Sequence, residues 1–341
     1  MPDSVLYFPS IRVPETEWFT RVLLYWDTVG TIVPAEYLDD PKFLRPYTAS
    51  LKDHGLLTTV PPDERIWQTG SKNYYQSFLT LIDSLHAEDG VPFANRETVR
   101  IHVDKTGHGL AYALSERKLA NYIGGKEWDS WFEVERDTGN LLMAYLASIL
   151  GQNQEQRMVP ITDSAGCLEA FTRIPAGHGR VEARLNPIRS EILEALLPAP
   201  QDRVDPAQLA EFKNGHRKLL NSFRTTVEQR VAAVAAIEDA ELRAWNLEQT
   251  KHELKSQKEE ILRRMQEHNW RRVGFGPLVA VIAAGAALAD AVITGGTLTV
   301  AGASLGLTSA VYAAFEGART PADLLTQPIA YAALADTEVG G

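Results

Sequence analysis

Residues 5–34 read VLYFPSIRVPETEWFTRVLLYWDTVGTIVP, and this stretch sets the class of fold. The apolar run Val5 to Phe8 stops at Pro9 and predicts a strand. From Glu15 to Thr28, Trp18, Phe19, Val22, Leu23 and Trp26 fall on one helical face. Thr31 to Val33 predicts a second strand, stopped by Pro34. Strand, helix and strand in succession imply parallel pairing and an α/β layer architecture. The aromatic residues at helical spacing read as core and not as a base-stacking platform.

The same alternation runs outward through the first two hundred residues. Helices are predicted over Pro41–Asp53, ended by Gly55, then over Lys72–His86, Leu110–Ile123 and Asn140–Leu150, the last capped by Gly151. Strands are predicted at Leu56–Val60, Val99–Val103, Trp131–Val134, Val159–Thr162 and, seventh, Val181–Leu185. An α/β domain over 1–197 follows, either an irregular βα barrel or an open parallel sheet; its length sits at the short limit for eight barrel units.

The motifs Phe8-Pro9, Tyr25-Trp26-Asp27 and Ile32-Val33-Pro34 resemble the opening of an uncharacterised family of bacterial proteins of similar length. DTGNLLMAYLASILG at 137–151, VPITD at Val159–Asp163 and FKNGHRKLLNSFRTTVE at Phe212–Glu228 look similar to later segments of that family. The resemblance implies a shared architecture and brings no activity with it.

Beyond a proline-rich linker at 198–206, the chain changes character. From His216 to Val273 it has no Gly and no Pro. Leu219, Phe223, Val227, Val231 and Val234 repeat near the coiled-coil spacing, which predicts a helical stalk over 207–273 and self-association through it. A single helix there would be about 85 Å long, and a helical hairpin turning near Ala240 to Asn246 is the compact alternative. The stretch 274–317 then forms a hydrophobic hairpin, followed by a tail over 318–341. Gly274 to Phe315 carries one formal charge, Asp290. Gly295 and Gly296 split it into arms Pro277–Ile293 and Thr297–Phe315, each roughly 26–29 Å if helical, near the ~30 Å of a hydrocarbon core. Gly302 and Gly306, four apart, permit close helix packing in lipid. Three arrangements fit: two short membrane helices, a concealed hairpin released on a trigger, and a buried pair diluted by Ala, Gly and Thr.

The net charge of −10 argues against a nucleic-acid binder, which needs clustered Lys and Arg. With Cys167 the only cysteine, no intrachain disulfide or thiolate cluster can form. The start shows no secretory pattern, so the expected place is the cytosol, extending to the inner face of the membrane.

Ligands gather at the carboxyl ends of parallel strands. Those ends supply Pro9 and Ser10, Pro34, Pro61, Asp104 and Lys105, Arg136 and Asp137, Asp163, and Asn186. Asp104, Arg136 and Asp163 are expected on one rim. Asp137 and Asp163 also suit helix N-caps. His102, Asp104 and His108 in HVDKTGHG include metal-ligating residue types, but the spacing fits no metal motif, so no metal is assigned. GHGR at Gly177–Arg180 and YIGGK at Tyr122–Lys126 fall short of a phosphate loop, and no cofactor is implied. Cys167 reads as a small buried residue.

Three functions are compatible with this organisation. The leading one is a membrane-associated or membrane-inserting bacterial protein, a toxin-like or defence-type effector with an α/β sensor or oligomerisation domain. The second is an enzyme or ligand-binding protein with a pocket at the strand ends. The third is a self-associating helical scaffold.

Overall fold

The structure, a computed structural model, describes residues 3–34, 37–38, 45–62, 68–69, 72–86, 96–123, 131–153, 157–174, 180–200, 203–267 and 326–340. The chain forms two compact units, Met1–Ser190 with Gln201–Ala210, and Glu191–Pro200 with Glu211–Gly341.

In the first unit, β1 (Ser4–Tyr7), α1 (Glu17–Tyr25) and β2 (Thr28–Ile32) form the βαβ unit expected from residues 5–34. Thr16 caps α1 by accepting the Phe19 N–H. α2 (Pro46–Asp53) ends at Gly55, whose φ of +70° reverses the chain into β3 (Leu57–Val60). β9 (Met158–Ile161) pairs with the other side of β1, giving an open parallel sheet in the order β3-β2-β1-β9. The central strand β1 is buried along its whole length, as the inner strand of a sheet covered on both faces must be. Pro160 is tolerated because β9 lies at an edge.

The remaining strands do not join this sheet. β6 (Thr98–His102), β7 (Ala120–Tyr122) and β8 (Trp131–Glu135) form a separate antiparallel ribbon in the order β6-β8-β7. A short hairpin pairs β4 (Gln68–Thr69) with β5 (Lys72–Asn73), ahead of α3 (Tyr74–His86). The expectation of parallel pairing throughout is therefore corrected: four strands are parallel and three form the antiparallel ribbon. The predicted helix Leu110–Ile123 is α4 (His108–Glu116) followed by β7, the break falling at Lys118, which has φ 56°.

Between the two sheets runs α5 (Arg136–Asn153), which packs on β1 and β9 on one side and on β6 and β8 on the other. Every residue from Leu141 to Leu150 is buried, so this stretch of the helix has no solvent face. Gly151 lies inside it and not at its end: a Cβ there would run into the Met158 carbonyl of β9. α6 (Ala165–Arg173) covers α5, and Phe171 stacks edge-on to Phe8 at 5.1 Å. The predicted seventh strand, Val181–Leu185, is instead part of α7 (Arg180–Leu196). Ile188, Ile192 and Leu196 recur every four residues and are buried, so the longer helical period overrides a five-residue alternation.

In the second unit, the stalk is not one rod. α8 (Pro206–Gly215) gives way to α9 (Arg217–Ala235), then a turn leads to α10 (Ala240–Glu267). Asp239 opens α10 by accepting the Leu242 N–H at 2.7 Å. The compact hairpin is thus the arrangement found, turning a few residues before the expected place. Phe223, Val227, Val231 and Val234 on α9 and Leu254, Ile261 and Met265 on α10 are buried. Both helices pack against α11 (Ala330–Glu338), inside the segment read as a tail. Tyr331 of α11 lies between Phe212 and Phe223, at 5.2 and 5.5 Å.

The hydrophobic hairpin, with Pro277, Asp290, Gly295, Gly296, Gly302 and Gly306, lies outside the described residues. Among the described residues, no helix is long and apolar enough to cross a membrane.

Candidate functional site

Strand order reverses beside β1: β2 and β3 lie on one side and β9 on the other. In open α/β sheets such a switch point leaves a crevice outside the carboxyl ends of the strands. A cavity of about 370 Å³ opens at that edge. One wall is the chain leaving β1, Pro9 to Arg12, entered through the cis Phe8–Pro9 bond. The opposite wall comes from β6 and the 3-10 turn after it, with His102 and Lys105. Gly139, Asn140 and Met143 of α5 form the floor, and Trp131 closes one side.

Lys105 is the most unusual group here. It is only 4% exposed, yet it reaches the cavity and donates from Nζ to the Pro9 carbonyl at 3.1 Å. Among the described residues no carboxylate pairs with it. Burial alone pushes its ammonium down to about 7, because the charged form loses its hydration. Arg12 and Arg100 also line the cavity, and Arg100 lies 3.6 Å from Glu133 on the neighbouring strand. Among the described residues, no Asp or Glu lines the cavity.

His102 has its ring between Tyr37 and Trp131, edge-on to each at 5.1 Å. Its Nδ1 accepts the Asp104 N–H at 3.2 Å, which leaves the proton of a neutral ring on Nε2. The Asp104 carboxylate, half exposed, lies 3.8 Å from the same nitrogen. Among the described residues, no three His, Cys, Asp or Glu side chains come together as a metal group, so His102, Asp104 and His108 make no such site.

Behind the floor, Asn140 accepts the Cys167 thiol proton at 3.4 Å. Burial, and then the nearby Asp163 charge, outweigh a hydrogen bond with Ser164 and push this thiol up to about 11, so it is not a nucleophile at neutral pH. Tyr7, at the end of β1, donates to Asp163 Oδ1 at 3.2 Å, and burial followed by the Asp163 charge holds its phenol above the usual range.

Of the expected strand-end residues, Pro9, Ser10 and Lys105 line the cavity, while Asp104 stands beside it through His102. Asp163 lies at the end of β9, past the same edge of the parallel sheet. Arg136 does not share that rim. β6 and β8 run antiparallel, with His102 opposite Trp131 and Thr98 opposite Glu135, so Arg136 sits at the far end of the ribbon, paired with Glu97. The three-residue rim of Asp104, Arg136 and Asp163 is therefore not formed. Asp137 and Asp163 are not N-caps either. Glu135 accepts the N–H groups of Asp137 and Thr138 at the start of α5, and Ser164 accepts that of Cys167 at the start of α6. Asn186 is on α7 and donates to the edge carbonyl of Pro160 at 2.9 Å. Pro9 and Ser10 were legible as strand-end residues. Arg12, Arg100 and Asn140 were missed, since only the packing of α5 between two sheets brings them to one space.

Models of protein families, curated proteins and solved structures were each compared with the chain, and none matches it.

Proposed function

We propose that the α/β unit binds a small organic anion in the cavity at the carboxyl edge of its parallel sheet. The observation that carries this reading is Lys105, a buried amine without a carboxylate partner among the described residues, in a cavity that the Arg12 guanidinium also lines. An anion entering there is a counter-charge for Arg12 and favours uptake of a proton by the Lys105 amine, and no described carboxylate has to leave Lys105 for it. The volume suits a compact metabolite, within the ~300–1,000 Å³ usual for such sites. The mostly apolar wall of Ile11, Val99, Ile101 and Met143 fits the carbon skeleton. The test is calorimetric titration with a panel of small carboxylates and phosphates. Lys105→Met should weaken any binder about 10- to 100-fold, the worth of one charge-assisted hydrogen bond. Equal affinity in both proteins, or no binder in the panel, removes the proposal.

A second reading concerns residues 274–317. Asp290 is the single charge between Gly274 and Phe315, and this supports membrane contact through that segment, independent of the cavity. Membrane fractionation of the intact chain beside a chain ending at Asn269 tests it: equal partition of both removes this reading.

A further inference from the structure

We infer that Lys105 is a covalent carbonyl site: its ε-amine condenses with the oxo group of a small oxo acid held in the cavity. This rests on the anion-binding reading above and specifies its substrate class. Four features of the site carry it. The amine reaches the cavity from a buried position, so a ligand meets it away from bulk water. One N–H is fixed on the Pro9 carbonyl at 3.1 Å, which orients the nitrogen. Among the described residues no carboxylate holds the group as an ammonium, and a lysine kept uncharged by desolvation has the lone pair that attack requires. Arg12 lines the same cavity and offers a fork of donors to the acid's carboxylate.

Burial supports the same conclusion, since a group brought down to about 7 is substantially neutral near physiological pH. Lys52 and Lys118 are exposed and serve as the comparison lysines.

The chemistry balances without an oxidant or a reductant. The Nζ lone pair forms a bond to the carbonyl carbon, and the π pair moves onto oxygen. That oxygen takes one proton from the nitrogen, giving a neutral carbinolamine. The C–O bond then breaks as nitrogen forms its second bond to carbon, and the oxygen leaves as water with the other amine proton. The imine that remains can take a proton from solvent, which restores a positive charge beside the ligand carboxylate.

The experiment uses the full chain with pyruvate as probe and lactate, which lacks the oxo group, as its control. Each is mixed with protein and borohydride, followed by intact mass and peptide mapping. One reduced adduct per chain at Lys105 with pyruvate, about tenfold above Lys52 and Lys118 and none with lactate, is the expected result. Lys105→Arg keeps a charge but cannot form the imine, and should lose the adduct. Lys105→Met serves the same purpose should the arginine fail to fold. If pyruvate and lactate both raise the melting temperature and no adduct forms at Lys105, the covalent step is overturned and anion binding stands. If neither ligand shifts melting and no adduct forms, both fall for this class. Labelling equal at Lys105 and the exposed lysines also overturns the proposal.

Discussion

Lys105 and Lys258 are both buried, one in each unit, and they are held in opposite ways. Lys258 projects from α10, and its ammonium sits 2.7 Å from the Asp336 carboxylate and 2.7 Å from the Leu196 carbonyl. Lys105 has the Pro9 carbonyl and, among the described residues, no carboxylate. A buried charge with an acid beside it clamps one element on another: Lys258 ties α10 to α11. A buried amine beside a cavity is poised for a ligand. The central helices show the same division. α5 is buried through Leu, Ile, Met and Tyr side chains and forms the floor of a cavity, whereas the buried residues of α11 are mostly alanine. α11 is fixed by Tyr331, by the Lys258–Asp336 pair and by His216 against Glu338 at 3.0 Å. The first unit is built around a space, and the second around a contact.

The largest effect should come from removing that contact. Tyr331 is fully buried between two phenylalanine rings, and α11 has no other large aromatic residue. Tyr331→Ala should destabilise the helical unit by about 3–5 kcal/mol, as for other large-to-small core changes. Denaturant unfolding followed by helical circular dichroism measures it. A loss below about 1 kcal/mol would mean that α11 is held by its charged pairs and not by its ring.

Lys105 should show itself next, as a pH dependence. Its folded value is depressed below that of the unfolded chain, so between about pH 7 and about pH 10 the folded protein holds fewer protons. Stability therefore rises with pH across that window. The neighbouring titratable or charged groups are Asp104, His102, Arg12 and Arg100, and Asp104 and His102 face each other. Lys105→Met removes the slope and should be more stable than the wild type at pH 6, by about 4–5 kcal/mol, with the difference fading as pH rises past about 10. Parallel curves for the two proteins would place Lys105 in contact with water.

Much of the first unit was legible in the sequence. Six of the seven expected strands lie within a few residues of observed ones, because short β-branched and aromatic runs between Pro and Gly have one reading. The seventh failed because VEARL alternates over too few residues to outweigh the helix around it, and Pro187 inside that helix disguised it. β7 was hidden because Lys118, not a glycine, carries the positive φ that ends α4. The antiparallel ribbon was not legible at all, since helices link both parallel and antiparallel strands. For that reason Arg136 was placed on the wrong rim, while Lys105 lines the cavity although β6 is not a strand of the parallel sheet. α11 was missed because alanines have almost no amphipathic pattern to read.

The smallest prediction sets two glycines against each other. Alanine exceeds glycine in helix propensity by about 1 kcal/mol, so Gly→Ala in a helix is stabilising unless the methyl has nowhere to go. At Gly215, the last residue of α8, a Cβ would meet nothing within 4 Å. At Gly151 in α5 it would meet the backbone carbonyl of Met158, which cannot swing aside as a flexible side chain can. Overpacking of that kind costs about 1–3 kcal/mol, enough to cancel the propensity gain and exceed it. Gly151→Ala should thus destabilise by about 1 kcal/mol and Gly215→Ala should stabilise by a fraction of that, both read as shifts in the denaturation midpoint. Stabilisation at Gly151 would mean that α5 can retreat from β9. The helix would then be a movable floor, and ligand entry should depend on its position; destabilisation there fixes the floor, and with it the place of Asn140 and Met143 in the cavity.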